Sequence, residues 1–218
     1  MPRLWLLSDL HFENWPIEKR YLPAPDCDIV VVAGDVWESN PEMMIDGLFR
    51  LSEGRPVVCV MGNHDLWGLE IDEALERARE RAASHSIHVL QDDEVELQGI
   101  RFFGSTWWPD LQCETNALSP FGEPLLRGGR VIIQRDIDLL RKHTLAAAAL
   151  STADVFVTHY GPEILNEWMP RLWISGHIHS FDRRIEGKTE FVRNPRQSRV
   201  FADRMVLDLP VVPPPVPL

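Results

Sequence analysis

Residues 57–65 read Val57-Val58-Cys59-Val60-Met61-Gly62-Asn63-His64-Asp65. An unbroken apolar run bounded by turn residues suits a strand covered on both faces, as in a parallel sheet. The same shape occurs four more times. Leu4 to Leu7 runs into Ser8-Asp9-Leu10-His11, and Ile29 to Ala33 into Gly34-Asp35. Asp154 to Thr158 ends at His159, and Leu172 to Ser175 at Gly176-His177-Ile178-His179. Helical stripes lie between the first runs. Pro41 to Glu53 carries Met44, Ile45, Leu48, Phe49 and Leu51, and Asn40 before Pro41 marks a helix start. Glu70 to Ser84 places Ile71, Leu75, Ala78 and Ala82 on one face. Alternating strand and helix predicts an α/β fold.

Beyond residue 84 the pattern changes. Val89-Leu90, Val95 to Leu97 and Ile100 to Phe103 read as short antiparallel strands divided by turns such as Gln98-Gly99. Ser105 to Gly129, with Trp107 and Trp108, reads as a long loop of the kind that often carries function. Val131 to Leu150 is the strongest helix. Phe181 to Ile185 and Glu190 to Val192 form a hairpin around Gly187, and Met205 to Leu209 is a last strand. Residues 1–209 are expected to form one domain. Residues 210–218, with five prolines, form an extended tail that cannot hold a ladder.

Composition narrows the function. The chain has 218 residues, 22 basic against 33 acidic, and a net charge of −11. That balance disfavours binding nucleic acid by counterion release, and disfavours anionic lipid surfaces. No apolar run approaches the roughly 18 residues of a membrane span, and the N-terminal run is too short for a secretory signal. A cytoplasmic protein is expected. Cys27, Cys59 and Cys113 are too scattered for a disulfide framework or a thiolate metal site. Cys59, inside an apolar run, reads as a buried hydrophobe.

The polar clusters carry the chemistry. Ligands of open α/β sheets bind beyond the carboxyl ends of the strands, and five of the eight histidines stand there. Extended residues two apart point to the same side, so Asp9 with His11, and His177 with His179, can each face one point. Glycine before Asp35, Asn63 and His177 permits a sharp turn. Asp9, His11, Asp35, Asn63, His159, His177 and His179 offer nitrogen and oxygen without sulfur. Such a set suits Mn, Fe, Zn, Co or Ni. Seven groups exceed the needs of one ion and suit two ions about 3.5–4 Å apart, sharing a carboxylate.

These ordered motifs, Asp-x-His, Gly-Asp, Gly-Asn-His-Asp, His and Gly-His-x-His, resemble those of calcineurin-like metallophosphoesterases from Ser8 to His179. The resemblance implies a four-layer α-β-β-α sandwich of two mixed sheets flanked by helices. It implies a metal-dependent hydrolase of phosphodiesters or phosphomonoesters with a dinuclear centre and a bridging hydroxide nucleophile. Asp9, His11, Asp35 and His179 would hold one ion, and Asn63, His159, His177 and the bridging Asp35 the other. His64 would assist the leaving group as the catalytic acid. Gly34-Asp35-Val36-Trp37-Glu38-Ser39-Asn40 lacks the arginine typical of Ser/Thr protein phosphatases, and Asp65 stands where they have Glu. His64 stands where lipid A pathway pyrophosphatases carry Arg. The small bacterial-type phosphodiesterases and phosphatases fit better.

Around this set, Asp65 either orients a ring or caps the following helix, and Glu38 reads as solvated surface. Trp107 either stacks on a substrate base or packs in its loop. Arg183, Arg184, Arg193, Arg196 and Arg199 are candidates to clamp a second phosphate, Arg196 foremost. The expected partner is a small phosphoester, nucleotides included. The alternatives are a nuclease or nucleotide pyrophosphatase of the same fold and a non-catalytic metal-binding scaffold. A full ligand set with His64 argues against the scaffold.

Overall fold

The computed structural model describes residues 1–109, 124–162 and 169–211. Its first half builds β1 (Arg3–Leu7), β2 (Ile29–Ala33), β3 (Val57–Val60) and β4 (Ile87–Val89). These four run parallel, and β13 (Val206–Asp208) closes the far edge antiparallel to β1, giving the order β13-β1-β2-β3-β4. The second sheet has the order β11-β12-β10-β9-β6-β5. Its strands are β5 (Asp93–Leu97), β6 (Ile100–Ser105), β9 (Val155–Thr158), β10 (Leu172–Ser175), β11 (Asp182–Glu186) and β12 (Thr189–Arg193). The middle four are parallel; β5 and β11 are antiparallel edges.

The pleat sorts the apolar runs into two layers. Leu4, Leu6, Ile29, Val31, Val58 and Val60 turn inward and meet Ile100, Phe102, Val155, Val157, Leu172 and Ile174 of the second sheet. Trp5, Leu7, Val30, Val32, Val57 and Cys59 turn outward, into the cluster that holds the helix faces. Successive strand residues alternate sides, so both sides of each run are buried, as the continuous apolar sequence requires. Cys59 is such a buried residue, and burial raises its thiol pKa far above the ordinary range.

Helices cover the outer faces. In α2 (Pro41–Ser52) the Asn40 side chain accepts from the Met43 N–H at 3.0 Å, capping the start. Its face of Met44, Ile45, Leu48 and Leu51 is buried. In α4 (Ile71–Ala82) the buried face is mostly alanine, Ala74, Ala78 and Ala82, which lets the helix lie close. Arg77 pairs with Glu42 and Arg81 with Asp46 across the two helices. On the other side, Thr144 of α5 (Gln134–Leu150) reaches Ser105 on the outward face of β6. Beneath it Phe103, Phe156, Trp173 and Phe191 form a chain of ring contacts. The result is the α-β-β-α sandwich of two mixed sheets.

Several boundaries differ from expectation. Helix α5 begins at Gln134, not Val131, because Val131 pairs in a small hairpin of β7 (Leu126–Arg127) and β8 (Arg130–Val131). The Ile133 N–H is then taken by the Asp136 carboxylate at 3.0 Å. The loop expected over 105–129 therefore ends in the first strand and turn of that hairpin, while residues 110–123, with Cys113, lie outside the described residues. The tail does so beyond residue 211. Two short helices, α1 (Ile17–Arg20) and α3 (Asn63–Leu66), had no periodic signal to announce them. Among the described residues no helix is long and apolar enough to cross a membrane.

Leu6 is fully buried between the sheets. Leu6→Ala is expected to cost about 2–5 kcal/mol, read as a lower urea midpoint at unchanged slope.

Candidate metal centre

The polar clusters all sit just past the carboxyl ends of β1, β2, β3, β9 and β10. Asp9, His11, Asp35 and His177 have φ of 49°, 41°, 54° and 65°. These are left-handed turns, which non-glycine residues seldom adopt and which concentrate at functional sites. Asp9 with His11, and His177 with His179, are thus aimed by turns and not by an extended strand, as the spacing suggested.

Hydrogen bonds hold the turns. Asp9 N–H donates to Gly34 O at 3.0 Å, and His11 N–H to Asp35 O at 3.0 Å. His177 N–H donates to Asp9 Oδ1 at 2.9 Å, and His64 N–H to Asp35 Oδ1 at 2.9 Å. Asp65 does the most. Its buried carboxylate accepts from four backbone N–H groups: Asp35 at 2.9 Å and Val36, Trp37 and Gly62 at 2.8 Å each. It neither orients a ring nor merely caps a helix; it staples the β2 loop to the β3 loop. Burial pushes its carboxyl up to about 6, against the pull of those donors.

Two glycines answer to proximity, not to turning. Gly34, with φ 79°, does turn. Gly62 has φ −94°, but a Cβ there would lie 2.1 Å from Asp35 Oδ1. A Cβ on Gly176 would lie 2.5 Å from Ala33 O and 2.9 Å from Asp9 Oδ2. Both must be bare to let the acidic groups converge.

The seven candidate ligands fall into two groups that share Asp35. Ligand atoms of Asp9, His11, Asp35 and His179 lie within 4.8 Å of one another. Asp9 Oδ1 is 3.4 Å from His179 Nε2, and Asp35 Oδ2 is 3.7 Å from His11 Nε2. In the second group, His159 Nε2 is 2.9 Å from Asn63 Oδ1 and 3.4 Å from Asp35 Oδ2, while His177 Nδ1 is 3.3 Å from Asn63 Oδ1.

The proton inventory shows what these groups fit. His159 Nδ1 faces Ala33 O at 2.9 Å and so carries the ring proton, leaving a lone pair at Nε2. Burial, foremost, lowers this imidazole to about 3, so the ring is neutral. Its lone pair thus faces the oxygens of Asn63 and Asp35. Asp9 Oδ2 and His11 Nε2 are buried without a hydrogen-bond partner among the described residues. Burial, then the charges of Asp65 and Asp9, raises the Asp35 carboxyl well above its ordinary range. For Asp9, burial is outweighed by the bond to His179 and the charge of His159, and its carboxyl falls below that range. A divalent cation satisfies converging lone pairs and crowded carboxylates alike.

A second ring of contacts was not legible in the sequence. Glu13 Oε1 lies 3.1 Å from His11 Nδ1, which directs Nε2 inward; its other oxygen accepts from Glu38 N–H at 3.3 Å. Glu38 is not idle surface, for its Oε2 lies 3.4 Å from His64 Nδ1. The His64 ring also lies on Trp67, with centroids 3.5 Å apart, and meets His11 edge-on at 4.7 Å. Burial, then the neighbouring imidazoles, lowers His64 to about 3. Its side chain is 24% exposed, whereas Asp9, Asp35 and His159 are closed off.

Two expected substrate contacts lie elsewhere. Arg196 is buried under the first loop. It donates to Lys19 O and to Arg20 O, and its guanidinium lies 4.2 Å from the Trp15 ring centre. It braces that loop and does not face a phosphate. Trp107 is buried, its ring meeting Trp173 edge-on at 5.0 Å, so loop packing and not base stacking occupies it. Trp108 is likewise buried, near Tyr160.

Known proteins share this plan. A 71-residue stretch, 30% of the chain, is 39% identical to the [acyl-carrier-protein] phosphodiesterase PptH of Mycobacterium tuberculosis and spans 21% of that protein. The crystal structure of phosphopantetheinyl hydrolase (PptH) from the same organism superposes with a TM-score of 0.66 at 17% identity, covering 98% of both chains. At that identity the superposition speaks for the fold. Residues 2–181 match the family described as calcineurin-like phosphoesterase. With the whole motif-bearing span matched, the chain belongs to the calcineurin-like phosphoesterase family.

Proposed function

We propose that this chain hydrolyses phosphoester bonds at a centre of two divalent ions, with diesters the favoured substrates. The observation that carries the reading is the convergence of Asn63 Oδ1 and the shared Asp35 Oδ2 on His159 Nε2, at 2.9 and 3.4 Å. Asp9, His11, Asp35 and His179 would hold one ion, and Asp35, Asn63, His159 and His177 the other. Bound there, the ions supply an activated water and Lewis-acid polarisation of the phosphoryl oxygens.

The chain's own residues do the rest. Asp35, between the groups, fixes their separation. Glu13 holds His11, and Ala33 O holds His159, in the tautomer that presents Nε2. His64 stands at the open rim, tied by its N–H to Asp35 and flanked by Glu38 and Trp67. From there the ring nitrogen turned away from Glu38 can reach the oxygen of a leaving group; burial holds the free ring neutral, so to give that oxygen a proton it must first take one up as the anionic ester binds beside it. The diester preference follows the PptH comparison, as both of its names describe release of a group joined through phosphate. A phosphopantetheinylated acyl carrier protein is therefore assayed beside small diesters.

Three outcomes are expected. Full-length protein hydrolyses bis(p-nitrophenyl) phosphate with Mn²⁺, loses the activity on chelation and regains it on metal return; hydrolysis indifferent to chelator would sink the metal reading. His64→Ala slows turnover by roughly 10²–10⁴ on esters with poor leaving groups and less on nitrophenyl esters; equal losses on both would take His64 out of the acid role. Asp65→Asn replaces an acceptor by a donor facing backbone N–H groups and costs about 3 kcal/mol. Its Mn²⁺ affinity by calorimetry falls with it, and an unchanged affinity would show that the staple does not shape the centre.

A further inference from the structure

Five C-terminal arginines were candidates for a second phosphate, and the structure disposes of them differently. Arg183 pairs with Glu190 at 2.7 Å, and Arg184 pairs with Asp182 and Glu186. Arg196 is committed to carbonyls, and Arg199 is exposed. Arg193 is half-buried and has no ion pair among the described residues. Its Nε–H donates to Ser180 O at 2.8 Å and an Nη to Ser180 Oγ at 3.4 Å.

Its position is set by the sheet. Arg193 ends β12 directly opposite Ser175, the residue before Gly176-His177. Both line a cleft of about 250 Å³ that His177, Tyr160, Arg184 and Phe191 also line. The cleft therefore opens on the second ligand group. It is smaller than the ~300–1,000 Å³ of a self-contained ligand pocket, so it fits part of a molecule anchored elsewhere. Asp182 is the one carboxylate among its described lining residues, and Arg184 already holds it. Burial and the like charge of Arg184 work against the Arg193 cation; Asp182 and the more distant Asp9 favour it. An anion entering the cleft relieves that cost, and a guanidinium fork matches phosphate oxygens in pairs.

We infer that this cleft is a second anion subsite, where Arg193, flanked by Arg184, binds a phosphate of the substrate other than the one held at the metal centre. The inference rests on the phosphoesterase reading above. It narrows the substrate class to phosphoesters that carry a further phosphate.

The test uses α,ω-alkanediol bisphosphates from propane to octane and the matching alkyl monophosphates. Each is measured by calorimetry on full-length, Mn²⁺-loaded protein and as a competitor of bis(p-nitrophenyl) phosphate hydrolysis. At one chain length the bisphosphate is expected to bind about tenfold more tightly than its monophosphate. Arg193→Met should bring that ratio close to one. Arg193→Gln, which keeps a donor for Ser180 O, should do the same and serves if the methionine variant unfolds. No preference at any length, or a preference that survives both variants, overturns the subsite. Absent diester hydrolysis with an Arg193-dependent preference would sink the phosphoesterase reading and leave the subsite standing. Hydrolysis without that preference would do the reverse.

Discussion

The Asp65 carboxylate is the constraint on which the site depends. Four N–H groups from two loops converge on its two oxygens. Further cross-loop bonds, from Ser39 N–H to His64 O and from the Ser39 hydroxyl to Trp67 O, follow the same approach. The staple brings Gly62 against Asp35, closely enough that no side chain fits between. From that approach follow the Asp35 to His64 bond and the closeness of Asn63 to His159. Buried backbone N–H groups must find acceptors, and a single carboxylate meets four such demands where it also fixes two motifs relative to each other.

Charge gives the site its character. The chain as a whole is strongly acidic, so an anionic ester is drawn only by local positive charge. The crowded carboxylates of Asp9 and Asp35 are a liability alone and a resource beside cations. His159, held neutral by burial, presents a lone pair where a charged ring would repel a metal. The tautomer is set from behind, by Glu13 on His11 and by a backbone carbonyl on His159. Such rear contacts decide where the nitrogen lone pair points, and so whether a ring can ligate at all.

The sequence was legible where residue type and strand periodicity agreed. The runs ending at Leu7, Ala33, Val60, Thr158 and Ser175 could be read as buried strands because no polar residue interrupts them. The ligands stood out because turns at strand ends gather them. Backbone conformation was not legible: nothing in Asp9-Leu10-His11 announces left-handed angles, which arise from cross-loop hydrogen bonds. Nor were contacts between distant residues. Glu13, Glu38 and Asp65 look like ordinary acids until the loops meet. Arg196 and Arg193 lie three residues apart with similar neighbours, and only the fold turns one onto carbonyls and the other into a cleft. The hairpin of β7 and β8 is too short to leave a periodic trace.

The borders of the second sheet have a consequence for the chain among its own copies. Strand β5 ends the sheet with Asp93, Glu94 and Glu96, and β11 ends it with Asp182, Arg183, Arg184 and Glu186. An unpaired strand border is a template on which another polypeptide can extend the ladder. Here the acids on one border repel their own kind, while the opposite border locks its charges into pairs. Charge at both borders of the second sheet thus works against its extension by another copy, and it comes from residues that take no part in the chemistry.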